Sequence, residues 1–337
     1  MTHVLVARMD NEGDVLLAGP AVRAAAACAD RVTLLCGPRG RRAAELLPGA
    51  DEVLVHHAAW IDAQPEPVDR AATEALVDEL AARRIDRAAI LTSFHQSPLP
   101  LALLLRLAGV AEIAAVSVDY PGSLLDHRLP DPGDVHEVVR GLGVVEALGC
   151  TLPAGDDGRL AVRRSPVPSV GGEPYVVVHP GASVPARAWS PERNAALVEA
   201  LAVQGRRVLV TGGPGETALT ARVAGAHGVD LGGATTLAGL AEVLAGADCV
   251  VVGNTGPAHL AAAVGTPVVS LYAPTVPAAR WRPWGVPHEL LHVDVPCAGC
   301  RARACPVPGH PCLEDVGVAE VLAAVERLVP ARAEVVA

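Results

Sequence analysis

The stretch Val250 to Tyr272, VVVGNTGPAHLAAAVGTPVVSLY, decides how this chain is read. Its valine run predicts a buried strand, Asn254-Thr255-Gly256 a tight turn, the alanine-rich part a helix, and VVSLY a second buried strand. Pro257 suits the first helical position, where its missing N–H is not needed. Backbone N–H groups at Gly256, Ala258 and His259 then point out of the helix start. With the positive end of the helix dipole they form a seat for phosphate. Thr255 adds a hydroxyl and His259 a ring nitrogen. The outline is a nucleotide-diphosphate site in the second half of the chain.

The same alternation of strand and helix runs through the whole sequence. Strands are predicted at Val4–Ala7, Val32–Leu35, Glu52–Val55 and Arg87–Leu91, with helices at Val15–Ala29, Arg39–Leu47 and Asp69–Arg83. A second series has strands at Tyr175–His179 and Arg207–Thr211. Its helices fall at Ser190–Gln204, Glu216–Ala226, Leu237–Ala245 and Val318–Leu328. Ser190 caps the first of these helices and Pro191 opens it. Such alternation predicts parallel sheets covered by helices on both faces. Thr151 to Pro174 is rich in Pro and Gly and reads as an irregular linker. The expected architecture is α/β: two Rossmann-like, doubly wound domains at residues 1–165 and 172–337, facing a central cleft. The last helix is a candidate to cross back to the first domain. In open parallel sheets ligands sit beyond the carboxyl ends of the strands, and every motif below falls at such an end.

Composition narrows the function. At 337 residues the chain has room for two domains. Aromatics are only 2% of residues, so the core must be built from Ala, Val and Leu. A formal charge of -10 argues against a nucleic-acid partner. All 27 basic residues counted as Lys or Arg are Arg, which suits forked contacts to phosphate. The N-terminus enters a strand without a basic leader, and no apolar run is long enough to span a bilayer. A cytoplasmic location is therefore expected. The longest apolar helix candidate, Leu99 to Val116, is interrupted by Arg106, Gly109 and Glu112. It is expected to pack in a core, with peripheral membrane contact as the alternative. Oligomeric state has no signature in the sequence.

Four motifs carry chemistry. The first is Arg8-Met9-Asp10-Asn11-Glu12-Gly13-Asp14. Gly13 allows a tight turn and Asp14 lands at the mouth of the next helix, where a carboxylate can accept a proton from a substrate hydroxyl. The alternative is that Asp14 is simply an N-cap. The second is His179-Pro180-Gly181-Ala182-Ser183 with Arg187 and Trp189. It brings Ser183 and Arg187 to a ligand, where Arg187 forks onto a pyrophosphate or is merely a solvated loop residue. The third is Thr211-Gly212-Gly213-Pro214-Gly215-Glu216. Gly213 permits close approach and Glu216 reaches ribose hydroxyls, although a glycine turn capped by Glu is also common structure. The fourth is the opening turn, where His259 is either a phosphate contact or a satisfied core histidine.

The cysteines divide into two sets. Cys297, Cys300, Cys305 and Cys312, with His310 nearby, crowd together near the end of the chain. Four thiolates can close a structural zinc site; reduced buried thiols or a disulfide pair are the other readings. The cluster lies outside the nucleotide motifs, so its role is expected to be structural. Cys28, Cys36, Cys150 and Cys249 read as small core residues.

Taken in order, RMDNEGDVLLAGPAV, HPGAS with RAW, TGGPGE, and GNTGPAHLAAAVGTPVVSLY resemble the ADP-heptose heptosyltransferases, glycosyltransferase family 9. The likeness covers nearly the whole chain, and the tail CAGCRARACPVPGHPC looks like that of some members. The resemblance implies the GT-B architecture and an inverting transfer of heptose from ADP-heptose to a hydroxyl, with no metal or other cofactor needed for catalysis. It implies Asp14 as general base, supported by Gly13 and Asp10, and Arg187 as the neutraliser of the diphosphate. It assigns the diphosphate turn to Thr255, Gly256 and His259. Members often have Asp where this chain has Asn254, so a role needing that charge is in question. A Lys is common where Arg187 stands. The acceptor expected is a lipopolysaccharide core, another surface glycan or a small natural product. Other readings are a GT-B nucleotide-sugar 2-epimerase, a transferase of another nucleotide sugar, or a non-catalytic nucleotide-sugar binding protein.

Overall fold

The computed structural model describes residues 1–62, 64–164 and 173–329. The chain divides into two units, Met1–Arg163 and Arg164–Ala337. Residues 165–172 of the predicted linker, and with them the expected domain edges at 165 and 172, lie outside the described residues.

In the first unit, β1 (His3–Arg8), β2 (Arg31–Cys36), β3 (Glu52–Val55), β4 (Arg87–Ile90), β5 (Glu112–Val116) and β6 (His127–Leu129) form one sheet. Its order is β3-β2-β1-β4-β5-β6, and all pairs are parallel. Its helices are α1 (Glu12–Leu17), α2 (Gly19–Cys28), α3 (Arg41–Ala44), α4 (Arg70–Arg83), α5 (Leu99–Leu107) and α6 (Glu137–Ala147). The second unit has β7 (Tyr175–His179), β8 (Arg207–Gly212), β9 (Val229–Gly232), β10 (Cys249–Gly253), β11 (Val268–Leu271) and β12 (His288–Leu291). Their order is β12-β11-β10-β7-β8-β9, again parallel throughout. Its helices are α7 (Pro191–Val203), α8 (Thr217–Ala224), α9 (Leu237–Ala245), α10 (Gly256–Ala263), α11 (Ala278–Trp281), α12 (Pro311–Glu314) and α13 (Val318–Leu328).

Each sheet is thus a Rossmann-type sheet with one switch point, between β1 and β4 in the first unit and between β7 and β10 in the second. The chain leaves these adjacent strands in opposite directions, and the divergence opens a crevice at their carboxyl ends. The central strands β1, β7, β10 and β11 are buried along their whole length. Helices on both faces exclude water from them, so their sequences read as continuous Val, Leu and Ala rather than as alternation. α13 packs through Val321, Ala324 and Val325 into the core of its own unit.

Two helix expectations are corrected. Leu99 to Val116 is not one apolar helix but α5 followed by β5. Gly109 sits between them at a φ of 86°, where a helix cannot continue and glycine carries no Cβ penalty. Among the described residues no helix is long and apolar enough to cross a membrane. The predicted Val15–Ala29 helix is two, α1 and α2, because Pro20 lacks the N–H that would carry one helix through and instead opens the second.

Cys28 and Cys150 are not two separate core thiols but a disulfide. α2 lies against α6. Cys28 ends the one helix and Cys150 follows the other, so their Cα atoms come within 5.3 Å. The bridge closes a separation of 122 residues. Restricting so long a loop in the unfolded chain is worth roughly 2–4 kcal/mol. A reductant is therefore expected to lower the thermal midpoint of the wild-type protein but not that of Cys150→Ser. Equal shifts in both would show that the bridge contributes nothing to stability.

Candidate functional site

At the first switch point β1 delivers Arg8 to the carboxyl edge, and the chain turns through Asp10 and Asn11 into α1. Asn11 occupies the N-cap position and Asp14 is the third residue of the helix, so the alternative reading of Asp14 as an N-cap does not hold. Its carboxylate instead accepts a hydrogen bond from Arg8 Nη2 at 3.0 Å. Arg8 holds more than this. Nη2 also donates to Ser93 Oγ at 2.9 Å, Nη1 to Glu137 Oε2 at 3.1 Å, and Nε faces Asp10 Oδ2 at 2.8 Å. Ser93 and Gln96 arrive from the loop after β4, where the Gln96 amide donates to the Asp10 carboxylate. Glu137 arrives from the first residue of α6.

The exposure of these side chains grades sharply: 1% for Glu137, 4% for Arg8 and 21% for Asp14. Asp14 is the member most open to solvent. Burial works against the Arg8 charge, but Asp10, Asp14 and Glu137 outweigh it and hold the guanidinium protonated. Burial pushes the carboxyls of Asp10 and Glu137 up, with Arg8 opposing. Glu137 was not singled out from the sequence. It begins a helix that the pattern did not reveal, and it joins the site across 129 positions of sequence.

At the second switch point the sequence motifs follow β7, β8 and β10. Thr255 occupies the N-cap position of α10, Gly256 opens the helix, and Pro257 lies within its first turn. One expectation is corrected here: the Ala258 N–H is not directed outward, because it donates to the Thr255 carbonyl at 3.0 Å and closes the turn. His259 is buried on the same first turn. Arg187 ends a short 3-10 turn at Pro185–Arg187, and its Nε donates to Thr275 Oγ1 at 3.3 Å. The Arg187 backbone lies directly on β10: a Cβ at Gly253 would come within 2.4 Å of the Arg187 carbonyl oxygen. Arg187 and the start of α10 are therefore parts of one surface, and Ser183, four residues before Arg187, is exposed.

The other motif residues hold this surface together. The Asn254 amide donates to the Ala273 carbonyl at 3.3 Å and ties the turn after β10 to the end of β11. A carboxylate could not donate there, so the neutral residue fits this turn. Glu216 accepts the Gly213 N–H at 2.7 Å. The same carboxylate lies where a Cβ of Gly181 would be, so it packs the loop after β8 against the loop after β7. His179 Nδ1 meets Thr211 Oγ1 at 3.0 Å, and burial holds the imidazole below its ordinary range and hence neutral.

The cysteine-rich segment is not remote from this surface. Gly299 and Arg301 donate their N–H groups to the carbonyls of Pro274 and Thr275, and Ala186 donates to the Arg303 carbonyl. Cys297, Cys300, Cys305, Cys312 and His310 line one small cavity with Ala186 and Thr275. Burial, with the three neighbouring thiols, pushes Cys312 up to about 11. Among the described residues, however, no group of three or more His, Cys, Asp or Glu is arranged to hold a metal ion. The four thiols do not fit the expected tetrahedral zinc set as they stand.

The sequence matches the family model described as glycosyltransferase family 9 (heptosyltransferase) over residues 126–310, more than half of the chain. Lipopolysaccharide heptosyltransferase 3 of Escherichia coli is 30% identical over 171 residues, which cover 47% of this chain and 48% of that protein. The chain thus spans about half the length of this curated relative. The glycosyl transferase family 9 structure from Veillonella parvula is 17% identical with a TM-score of 0.77, covering 97% of both chains. The E. coli heptosyltransferase solved with ADP-2-deoxy-2-fluoro heptose is 21% identical with a TM-score of 0.72, covering 97% of this chain and 99% of its own. These likenesses agree with the GT-B fold of two Rossmann-like domains. The chain belongs to glycosyltransferase family 9.

Proposed function

We propose that the protein is a glycosyltransferase that moves heptose from ADP-heptose to an acceptor hydroxyl with inversion and without a catalytic metal. The observation that carries this reading is the shared surface of Arg187 and the α10 start at the switch point of the second sheet. Helix N-termini at switch points favour phosphate, and a forked cation beside one suits a diphosphate. On this reading the donor lies on the second unit, with its diphosphate against Thr255, Gly256, His259 and Arg187. Ser183 adds a hydroxyl, and the nucleoside runs toward Gly213 and Glu216. As the glycosidic bond stretches, charge grows on the leaving ADP, so these donors stabilise the transition state more than the ground state. Asp14 accepts the proton of the acceptor hydroxyl as the new bond forms, and the acceptor is held by the first unit. Family membership and the ADP-2-deoxy-2-fluoro heptose bound by the E. coli neighbour support the ADP-heptose donor.

Calorimetric titration with ADP, UDP, GDP, dTDP and ADP-heptose tests the donor. Selective binding of ADP and ADP-heptose is expected. Preference for UDP or dTDP would overturn the heptose reading while leaving a nucleotide-sugar transferase, and binding of none would overturn the donor site.

A further inference from the structure

Asp14 is one of three carboxylates on Arg8, and general-base catalysis by Asp14 accounts for neither of the others. Glu137 is the more demanding of the two. Its side chain is 1% exposed, and burying an acid is costly unless it is paired. Its partner is the guanidinium that also holds Asp14. The three acids lie on different edges of that group, Asp10 at Nε, Glu137 at Nη1 and Asp14 at Nη2, with Ser93 sharing Nη2. A planar fork pinned on three edges cannot rotate without releasing one of them. One cation also cannot neutralise three acids. Asp10 and Glu137 are both buried and each also feels the Asp14 charge, so the charges of the three acids compete. Further charged groups that act on the cluster include His95 toward Asp10 and Arg140 toward Glu137. Arg140 is itself engaged by Asp131 at 2.7 Å and by the Thr92 carbonyl.

We propose that Glu137, acting through Arg8, is a positioning residue that fixes Asp14 and is coupled to its charge. This rests on the reading of Asp14 as the base. Glu137 locks the guanidinium, the guanidinium locks the Asp14 carboxylate, and the Glu137 charge draws off part of the Arg8 field. With Glu137 neutralised, Arg8 acts more fully on Asp14 and leaves it a weaker proton acceptor.

The test is Glu137→Gln, which keeps the shape and an oxygen for Arg8 but removes the charge. ADP release from ADP-heptose, with water as the sugar acceptor, is followed against pH. The expected result is a fall in kcat of roughly tenfold or more with little change in donor KM. The acid limb of the rate profile is expected to move to lower pH, because the unshared Arg8 charge favours the ionised base. A variant that is only less stable, with kcat and the acid limb unmoved, would overturn the proposal. Coupling is reciprocal, so it can also be read without turnover, from the carbon-13 resonance of the Glu137 carboxyl. In the wild type it titrates above the ordinary glutamate range, and in Asp14→Asn its midpoint is expected to fall because the opposing charge is gone. An unmoved midpoint would overturn the coupling. Failure of the wild type to bind ADP-heptose would sink the donor assignment instead, and the resonance comparison would still decide the coupling.

Discussion

Asp14→Asn is expected to reduce sugar transfer by roughly 10²–10⁴-fold, the usual worth of a general base. The change is nearly isosteric, and an amide oxygen can still accept from Arg8 Nη2, which lies 3.0 Å from the native carboxylate. The fold and the proposed donor surface, whose residues belong to the other unit, should therefore survive. The expected pattern is unchanged ADP affinity and thermal midpoint with a collapsed kcat, measured by single-turnover product formation. The amide cannot take up a proton at neutral pH, so no compensation by raising acceptor concentration is expected. Near-normal transfer by this variant would remove Asp14 from the chemistry and leave it a helix-start acid tethered by arginine.

Gly253→Ala is expected to be the most damaging single methyl group in the second unit. The added carbon would stand 2.4 Å from the Arg187 carbonyl oxygen. That neighbour is backbone and cannot swing aside, so either β10 or the Arg187 loop must move. Overpacking of this kind costs about 1–3 kcal/mol. The movement also has a functional sign: it separates Arg187 from the start of α10 and weakens binding of a diphosphate. Thermal unfolding and ADP calorimetry on the same variant should both fall. A loss of stability with unaltered ADP binding would mean that Arg187 and the helix start do not act on one ligand.

Much of the fold was legible because the strands that matter most are buried on both faces. β1, β7 and β10 read directly as runs of Val, Leu and Ala. The strands that escaped notice have a shared physical cause. β6, β9 and β12 are three- or four-residue strands at sheet edges, half wet, and carry no clear period. β5 was hidden differently. It continues the apolar run of α5, and hydrophobicity without period cannot separate a helix from a strand; Gly109 was the single mark between them. The site divides along the same line. Thr255, Gly256, His259 and Asp14 announce themselves through local glycine turns. Glu137 and the Cys28–Cys150 bridge depend on contacts 129 and 122 positions apart, and nothing near them in sequence encodes the partner. The Ala258 N–H shows a finer limit: a helix start leaves orphan donors in general, but whether the turn itself claims one depends on its dihedrals.

The division of the chain at Arg163 bears on how such a protein can change over evolutionary time. The named contacts of Asp14, through Arg8, Asp10, Ser93 and Glu137, are all made by residues before that boundary. Those of Arg187, Asn254 and Glu216 are all made after it. If the first half holds the acceptor and the second the nucleotide, as proposed, mutations that reshape the first half leave these hydrogen bonds of the second intact. On that proposed division, lineages can diversify what is glycosylated while inheriting the activated sugar unchanged. Chimaeras joined within residues 165–172 are the natural laboratory counterpart of that history.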